Sequence, residues 1–524
     1  MSTVPLTQVA VHLRPQDNVA IATKPIPIET VLEDHGTKMT VSSRVGMGHK
    51  IAVRPIKKGE AVYKYGQIIG FASKDIAPGD WVHVQNVGAD AFERDYAFCE
   101  DLPKSPGTAV PGLERTFLGY DRGPDRAEPY RYGTRNYIAV ISTVNCSAQT
   151  SKYITQRFHA TDLLKKFPNV DGVMAITHKA GCAMQFDGSD HKQLDRTLAG
   201  FAKHANVAAY ILVGLGCETG QAIHLVEGEG LIQLNGSGKK KPLVLSIQEC
   251  GGISKTVDAG VKAIAELLPR VNDIRRTELP AKHLILGTNC GGSDGNSGVT
   301  ANPALGVASD MLVAQGGISI IGETPEIYGA EHLLTRRAIT REVGEKLVER
   351  IKWWEWYTGI FGAEINNNPS PGNKEGGLTT IYEKSLGAIA KGGSSAMVDV
   401  VHYAEPVKTK GFVVMDTPGY DPVSMTGIVA GGANVCVFTT GRGSVFGCKP
   451  SPSIKIATNS PLYNHMLDDM DINAGVILEG TPVEVVGKQI FEEILAVASG
   501  KKTKSEINGV GEEEFAPWSI GPTL

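Results

Sequence analysis

A chain of 524 residues is too long for one ordinary hydrophobic core, so two or three domains are expected. Hydrophobic residues at 42% and charged residues at 21% describe a globular chain, and a formal net charge of -4 leaves no basic footprint for nucleic acid. The N-terminal MSTVPLTQVAVHLRPQDN has no basic region leading into an apolar core, and no apolar run approaches the roughly 18 residues of a membrane helix. No signal peptide and no membrane partner are therefore expected, and the cytoplasm is the expected location.

Residues 8 to about 90 read as short strands (VAIAT, HKIAVRPI, EAVYKYGQIIGFA, DWVHVQNV) separated by Gly, Pro and Asp turns, a small all-β module assigned to 1–92. A polar segment with prolines follows and is expected to be an extended linker, 93–128. From 129 onward strands and helices alternate. The candidate strands are NYIAVISTV, GVMAITH, AAYILVGLG, LVLSIQE, HLILGTN, ISIIGE, SAMVDVV, GFVVMDT, NVCVFTT and SIKIAT, with amphipathic stretches such as QLDRTLAGFAKHA, KTVDAGVKAIAELL and VEVVGKQIFEEILAVASG between them. Near-continuous apolar strands with helices between them indicate parallel sheets covered on both faces. Two α/β units are expected, 129–276 and 277–524, divided near the polar NDIRRTELPAK. No repeat of 20 to 50 residues is evident.

The chain has eight cysteines and no CxxC pair, so any metal site must be assembled from distant segments. Cys146, Cys182, Cys217, Cys250 and Cys290 each lie just beyond a predicted strand, where open parallel α/β sheets bind ligands. His178, Glu218 and Glu323 gather at the same ends. Thiolates with imidazole and carboxylate make an iron or zinc environment and disfavour magnesium or calcium. Cysteine is also a small buried hydrophobe that fits tight strand ends. Cys99, in the linker, and Cys436, within a strand, are expected to be of that kind. Two Gly-rich loops, NNNPSPGNKEGGLTT and TTGRGSVFG, place Lys374 and Arg442 beside backbone amides suited to a carboxylate or phosphate. Neither is a phosphate loop, and GLGCETG does not satisfy G-x-G-x-x-G, so no nucleotide cofactor is expected.

With GHKIAV, YGQIIGFA, GLGCE, CGGSDGNSGVTANPALG, NPSPGNKEGGLTT, EKSLGAIAKGGSS, FTTGRGS and MDINAG in order, the chain resembles the altronate and galactarate dehydratase family over nearly its whole length. The resemblance implies a multidomain α/β fold: an N-terminal β-clip (SAF-like) domain of the kind found in sialic acid synthases and antifreeze proteins, a middle domain and a Rossmann-like C-terminal domain with a mainly parallel sheet. It also implies dehydration of a sugar acid to a 2-keto-3-deoxy acid, a labile ferrous centre, mononuclear or iron–sulfur, for which Mn2+ could substitute, and a homodimer. TPEIYGAEHLL, SLGAIAKGGSS and IKIATNS look more like the altronate than the galactarate branch. Strand-end clustering and the resemblance together make Cys146, Cys182 and Cys290 the leading iron ligands, with Cys217 and Glu218 as an additional or alternative pair. Cys250 departs from the family pattern and is left out. His49, at a turn of the β module, is an ordinary surface histidine on exposure alone and an acid–base group by the resemblance; His178 competes with it, and Lys50 beside it is a third candidate. Ser293, Asp294, Asn302, Asn373, Lys374 and Arg442 are expected to contact substrate. Galactarate dehydration, sulfolactate sulfo-lyase chemistry and non-catalytic sugar-acid binding are the alternatives.

Overall fold

The computed structural model of the protein describes residues 3–103, 114–233 and 241–521. Residues 104–113 of the expected linker thus lie outside the described residues. The ten candidate strands of the two α/β units are all strands, and the two sheets they form are parallel throughout. The fold class read from the sequence is borne out.

The N-terminal module is built of short strands in three small sheets, antiparallel except where Val4–Pro5 pairs with Val31–Asp34. It does contain a repeat, contrary to expectation: Ile26 bridges Val45, and thirty residues on Ile56 bridges Ile76. The two units share a turn pattern and a short sequence, IATKPI at 21–26 recurring as IAVRPI at 51–56, while most other positions vary. One half closes on its own core of Leu6, Ile26, Leu32, Val45 and Ile51. The other half, with Ile56, Val62, Ile69 and Val82, shares a core with Leu334, Leu347, Phe412 and Val414 of the C-terminal domain. The module is therefore packed down as a cap on that domain.

The middle domain is a four-stranded sheet, in the order Gly172–Ile176, Tyr137–Ser142, Val207–Gly214, Val244–Ser246. Its entry and exit are stitched together, because Thr116–Asp121, within the expected linker, forms a strand antiparallel to Thr277–Pro280. Alternation of buried Phe117 with exposed neighbours explains that strand, which the nearby prolines mask in the sequence. The C-terminal sheet has seven strands, in the order Met397–Val401, Gly411–Met415, Ile318–Ile321, Ile285–Cys290, Val435–Thr440, Ser453–Ala457, Ile472–Asn473. Helices Ser189–Lys203 and Asp421–Ala430 join the two sheets, so closely that a β-carbon on Gly200 would come 2.5 Å from the Ala430 carbonyl oxygen. Among the described residues no helix is long and apolar enough to cross a membrane.

Candidate active site

The chain enters the seven-stranded sheet at its centre. From Ile285–Cys290 it crosses to Ile318–Ile321 on one side, and from Val435–Thr440 it continues to Ser453–Ala457 on the other. The loops leaving those two adjacent strands diverge and open a crevice at the topological switch point. CGGSD and TTGRGS are the two lips of that crevice, held together by Gly441 N and Arg442 N donating to the Gly292 carbonyl at 3.0 and 2.9 Å. Gly291 has no alternative there, because a β-carbon would collide with Asp421 Oδ2 and the Phe438 ring.

A cavity of about 400 Å³ lies in the crevice, with Cys290, Glu326, Asn373, Lys384 and Asp421 in its wall. Lys384 Nζ meets Glu326 Oε1 at 2.7 Å and Asn368 Oδ1 at 2.7 Å, and Asn368 Nδ2 donates to the same Glu326 oxygen at 2.8 Å. Behind them Lys391 Nζ meets Glu323 Oε2 at 2.5 Å, and Asn289 Nδ2 donates to Asp421 Oδ1 at 2.7 Å. Burial pushes Glu323 up to about 8, Lys391 pulling against it while Glu326 and Asp421 add to the rise. Burial, then the nearby Glu326, pushes Asp421 up to about 6. Against burial, Glu326 and Glu323 respectively hold Lys384 and Lys391 above the ordinary lysine value. Glu323 also takes a left-handed backbone at φ 62° to close its strand, a costly conformation for a non-glycine residue.

The cap reaches the same loops. Lys50 Nζ donates to the Gly377 carbonyl at 2.6 Å and to both Glu383 oxygens at 2.8 and 3.0 Å, while Lys64 Nζ reaches Glu383 at 2.8 Å and the Gly295 carbonyl at 3.2 Å. All three side chains are buried. Burial pushes Lys50 down to about 8, whereas at Lys64 the opposing pull of Glu383 outweighs burial and raises it. At Glu383 burial is likewise outweighed, by the two lysines, and its carboxyl lies well below the usual range. His49 Nδ1 accepts from Trp81 Nε1 at 3.1 Å and its Nε2 is 3.0 Å from the Glu375 carbonyl. That pairing makes His49 a neutral Nε2–H tautomer with both nitrogens engaged, and burial lowers its pKa. His49 and Lys50 thus serve as cap contacts, with no free lone pair aimed at the crevice.

Other expected residues are also spent internally. His178 lies in the middle domain with Nε2 3.0 Å from the Ser142 carbonyl and Nδ1 accepting from Ala180 N, and burial pushes it down to about 4. It is a satisfied structural histidine. Asp294 accepts from Thr458, Ser297, Asn296 and Asn459, and so clamps the CGGSD loop to the next strand end. Asn302 donates to the Gly387 carbonyl and accepts from Thr439; Ser293 Oγ lies 2.7 Å from Cys290 Sγ. Asn373 caps its own helix and donates to the Ser293 carbonyl. Lys374 makes no ion pair among the described residues, and exposed Arg442 meets Glu375 at 3.2 Å.

The expected metal ligands separate. Cys146, Cys182 and Cys217 are exposed at the ends of three adjacent strands of the middle sheet, whereas Cys290 is buried in the other sheet, with burial raising its thiol pKa. Glu218 accepts from Thr143, Leu215 N and Gly216 N, and so is committed to its own loop. Among the described residues no three of His, Cys, Asp and Glu are gathered to hold a metal ion. The donor set suits iron chemically but does not fit a mononuclear site. A larger cavity, about 660 Å³, borders Cys182 and His178. It lacks a convergent group of buried charges, so the crevice is the better candidate despite its smaller volume.

Glu326, Lys384, Lys391, Asp421, Lys64 and Glu383 were not anticipated as site residues. A signal existed for three of them: EKSLGAIAK carries Glu383, Lys384 and Lys391 in an otherwise apolar helical run, and every residue of helix Ile381–Ala388 is buried.

Family models match in three consecutive blocks: the altronate/galactarate dehydratase SAF domain at 8–90, the second domain of D-galactarate dehydratase/altronate hydrolase at 119–272, and the C-terminal domain of D-galactarate/altronate dehydratase at 281–523. The chain is 34% identical to altronate dehydratase of Bacillus subtilis (strain 168), over 98% of this chain and 99% of the relative. It is 34% identical to altronate dehydratase of Escherichia coli (strain K12), over 97% and 98%. To galactarate dehydratase (L-threo-forming) of Escherichia coli (strain K12) it is 36% identical, over 93% and 92%.

Proposed function

The chain belongs to the altronate/galactarate dehydratase family, and from that premise we propose that it removes water from D-altronate to leave 2-dehydro-3-deoxy-D-gluconate. That it is a hydro-lyase acting on a sugar acid follows from the family itself. The observation that carries the site assignment is Asp421 at the switch point, a carboxyl raised to about 6 in the wall of a cavity it shares with Lys384. A group that titrates near the working pH is suited to move a proton in both directions.

Dehydrating a 2,3-dihydroxy acid means removing the weakly acidic proton at C2 and expelling the oxygen at C3. In this reading the Asp421 carboxylate takes the C2 proton as the C2–C3 double bond forms, then returns it to the departing C3 oxygen. One water leaves and Asp421 is restored. The enol tautomerises, its hydroxyl proton ending on C3 and its oxygen becoming the ketone. Lys384 offers fixed positive charge to the anionic oxygens that develop. Lys374 and Arg442, on the two Gly-rich loops, hold the substrate carboxylate. Among the described residues the expected ligands of iron or manganese do not converge.

An aldonate rather than an aldarate is favoured because Lys384 and Lys391 are paired with carboxylates and Arg442 with Glu375, while Lys374 makes no ion pair among the described residues and is left for one substrate carboxylate. Galactarate is the second reading, on the 36% identity to a galactarate dehydratase. Incubation of the protein with altronate, galactarate and sulfolactate, assayed for keto acid and for sulfite, tests these readings together. Keto acid from altronate alone is expected; release of sulfite, or no product from any sugar acid, would sink the proposal. A homodimer in the cytoplasm belongs to the same proposal and is checked by sedimentation and fractionation.

A further inference from the structure

We infer that Glu326 recognises a hydroxyl of the substrate chain beyond the reacting carbons, and so sets which sugar acid is accepted; the inference rests on the dehydratase reading above. Glu326 is only 2% exposed, yet it lies in the wall of the crevice cavity. One of its oxygens, Oε1, is fully occupied by Lys384 Nζ and Asn368 Nδ2. Its other oxygen, Oε2, is buried without a hydrogen-bond partner. Two donors on one oxygen fix the carboxylate in place and leave Oε2 short of a donor.

Such an oxygen is costly to leave unpaired, so the position calls for a donor, and the cavity that Glu326 borders is where one can enter. The donor cannot be a cation of the chain, because Lys384 and Lys391 are already committed to Glu326 Oε1 and Glu323 Oε2. A polyhydroxy acid carries several hydroxyls, each able to donate one proton to a carboxylate oxygen. With Oε1 accepting from both Lys384 and Asn368, Glu326 is held in place to read a hydroxyl at Oε2. Its neighbours hold that geometry: a β-carbon on Gly419 would come 3.1 Å from Glu326 Oε1 and 3.3 Å from Asn368 Nδ2, so the wall is tightly packed there. Asp421, in the same wall, is left to the reacting carbons.

A site built to hydrogen-bond a hydroxyl rejects the analogue lacking it far more strongly than an apolar pocket rejects a missing methylene, by up to about 10⁴-fold. The test is kcat/KM for the aldonate that the protein turns over and for its 4-deoxy, 5-deoxy and 6-deoxy analogues, in the wild type and in Glu326→Ala. At least one analogue is expected to be disfavoured by about 100-fold or more in the wild type, and that ratio to fall below about tenfold in the variant. General structural damage would lower all the substrates together and leave the ratio unchanged, and an unchanged ratio overturns the inference. Should Glu326→Ala not fold, Glu326→Gln, which keeps the shape, is read by the same ratio. Wild-type protein that accepts all three deoxy analogues as readily as the parent overturns the inference without any variant. Wild-type protein that forms no keto acid from any sugar acid overturns the dehydratase reading and this inference with it.

Discussion

Asp421 begins helix Asp421–Ala430, where the helix dipole favours its anion, yet burial and Glu326 raise it to about 6. Its carboxyl is then part ionised and part protonated just below neutral pH, which is where a group that both takes and returns a proton has to sit. The kcat/KM profile is expected to carry a limb near pH 6, lost in Asp421→Asn together with about 10²-fold to 10⁴-fold of turnover. A limb that survives the substitution would assign the proton transfer elsewhere. Cys290 makes the opposite case. Its thiol lies against Ser293 and within 3.6 Å of Asn302 Nδ2, away from the three exposed thiols. Cys290→Ser should therefore keep whatever iron the wild type binds, measured by metal analysis on anaerobically purified protein; loss of iron would return Cys290 to the ligand set. That a strand ends on Cys290 at a ligand-binding edge was legible in the sequence. What the thiol touches was not, because its partners are set by helix packing and by loops that return from far along the chain.

Among the elements, the cap and helix Ile381–Ala388 are joined by Lys50, Lys64 and Glu383, a buried group in which one carboxylate answers two ammonium ions. Removing that carboxylate leaves two like charges facing each other out of water. Glu383→Gln is expected to cost about 3–5 kcal/mol and to loosen the cap, read as a lower melting temperature and faster proteolysis near residues 93–103. A variant as stable as the wild type would show that the cap is held by its apolar contacts alone. The pH dependence has a definite sign. Glu383 is held well below its unfolded value, so its contribution is complete above about pH 4.3 and fades as pH falls toward its depressed pKa. Lys50, pushed down to about 8, has the same sign in its own window: between pH 8 and about 10.4 the unfolded chain holds the proton that the native chain has lost, so stability again rises with pH. The strands and helices themselves were readable from apolar runs and period. The repeat within the cap was legible only in the short match of IATKPI to IAVRPI, since beyond it the two units agree mainly in turn geometry.

At the scale of the molecule, Arg135 ties the middle domain to the C-terminal one. It is buried, meets Glu506 at 2.6 Å, and donates to the carbonyls of Thr134, Val497 and Lys501. Arg135→Met would strip those acceptors of their donor and leave Glu506 unpaired, at a cost of about 3–5 kcal/mol. Calorimetry is expected to resolve separate transitions for the two units; a single transition at the wild-type temperature would count against the tie. The sequence by itself determined the class of each unit and the position of the loops at strand ends. Those follow from hydrophobic period and turn residues, which act over a few neighbours. Only the tertiary structure decided which ends share a site. Strand order and crossover direction put the CGGSD and TTGRGS loops lip to lip, sent Cys290 to one sheet and Cys146, Cys182 and Cys217 to the other, and brought Lys50 across 333 positions to Glu383. Contacts of that range depend on how whole elements pack, and no local pattern along the chain encodes them.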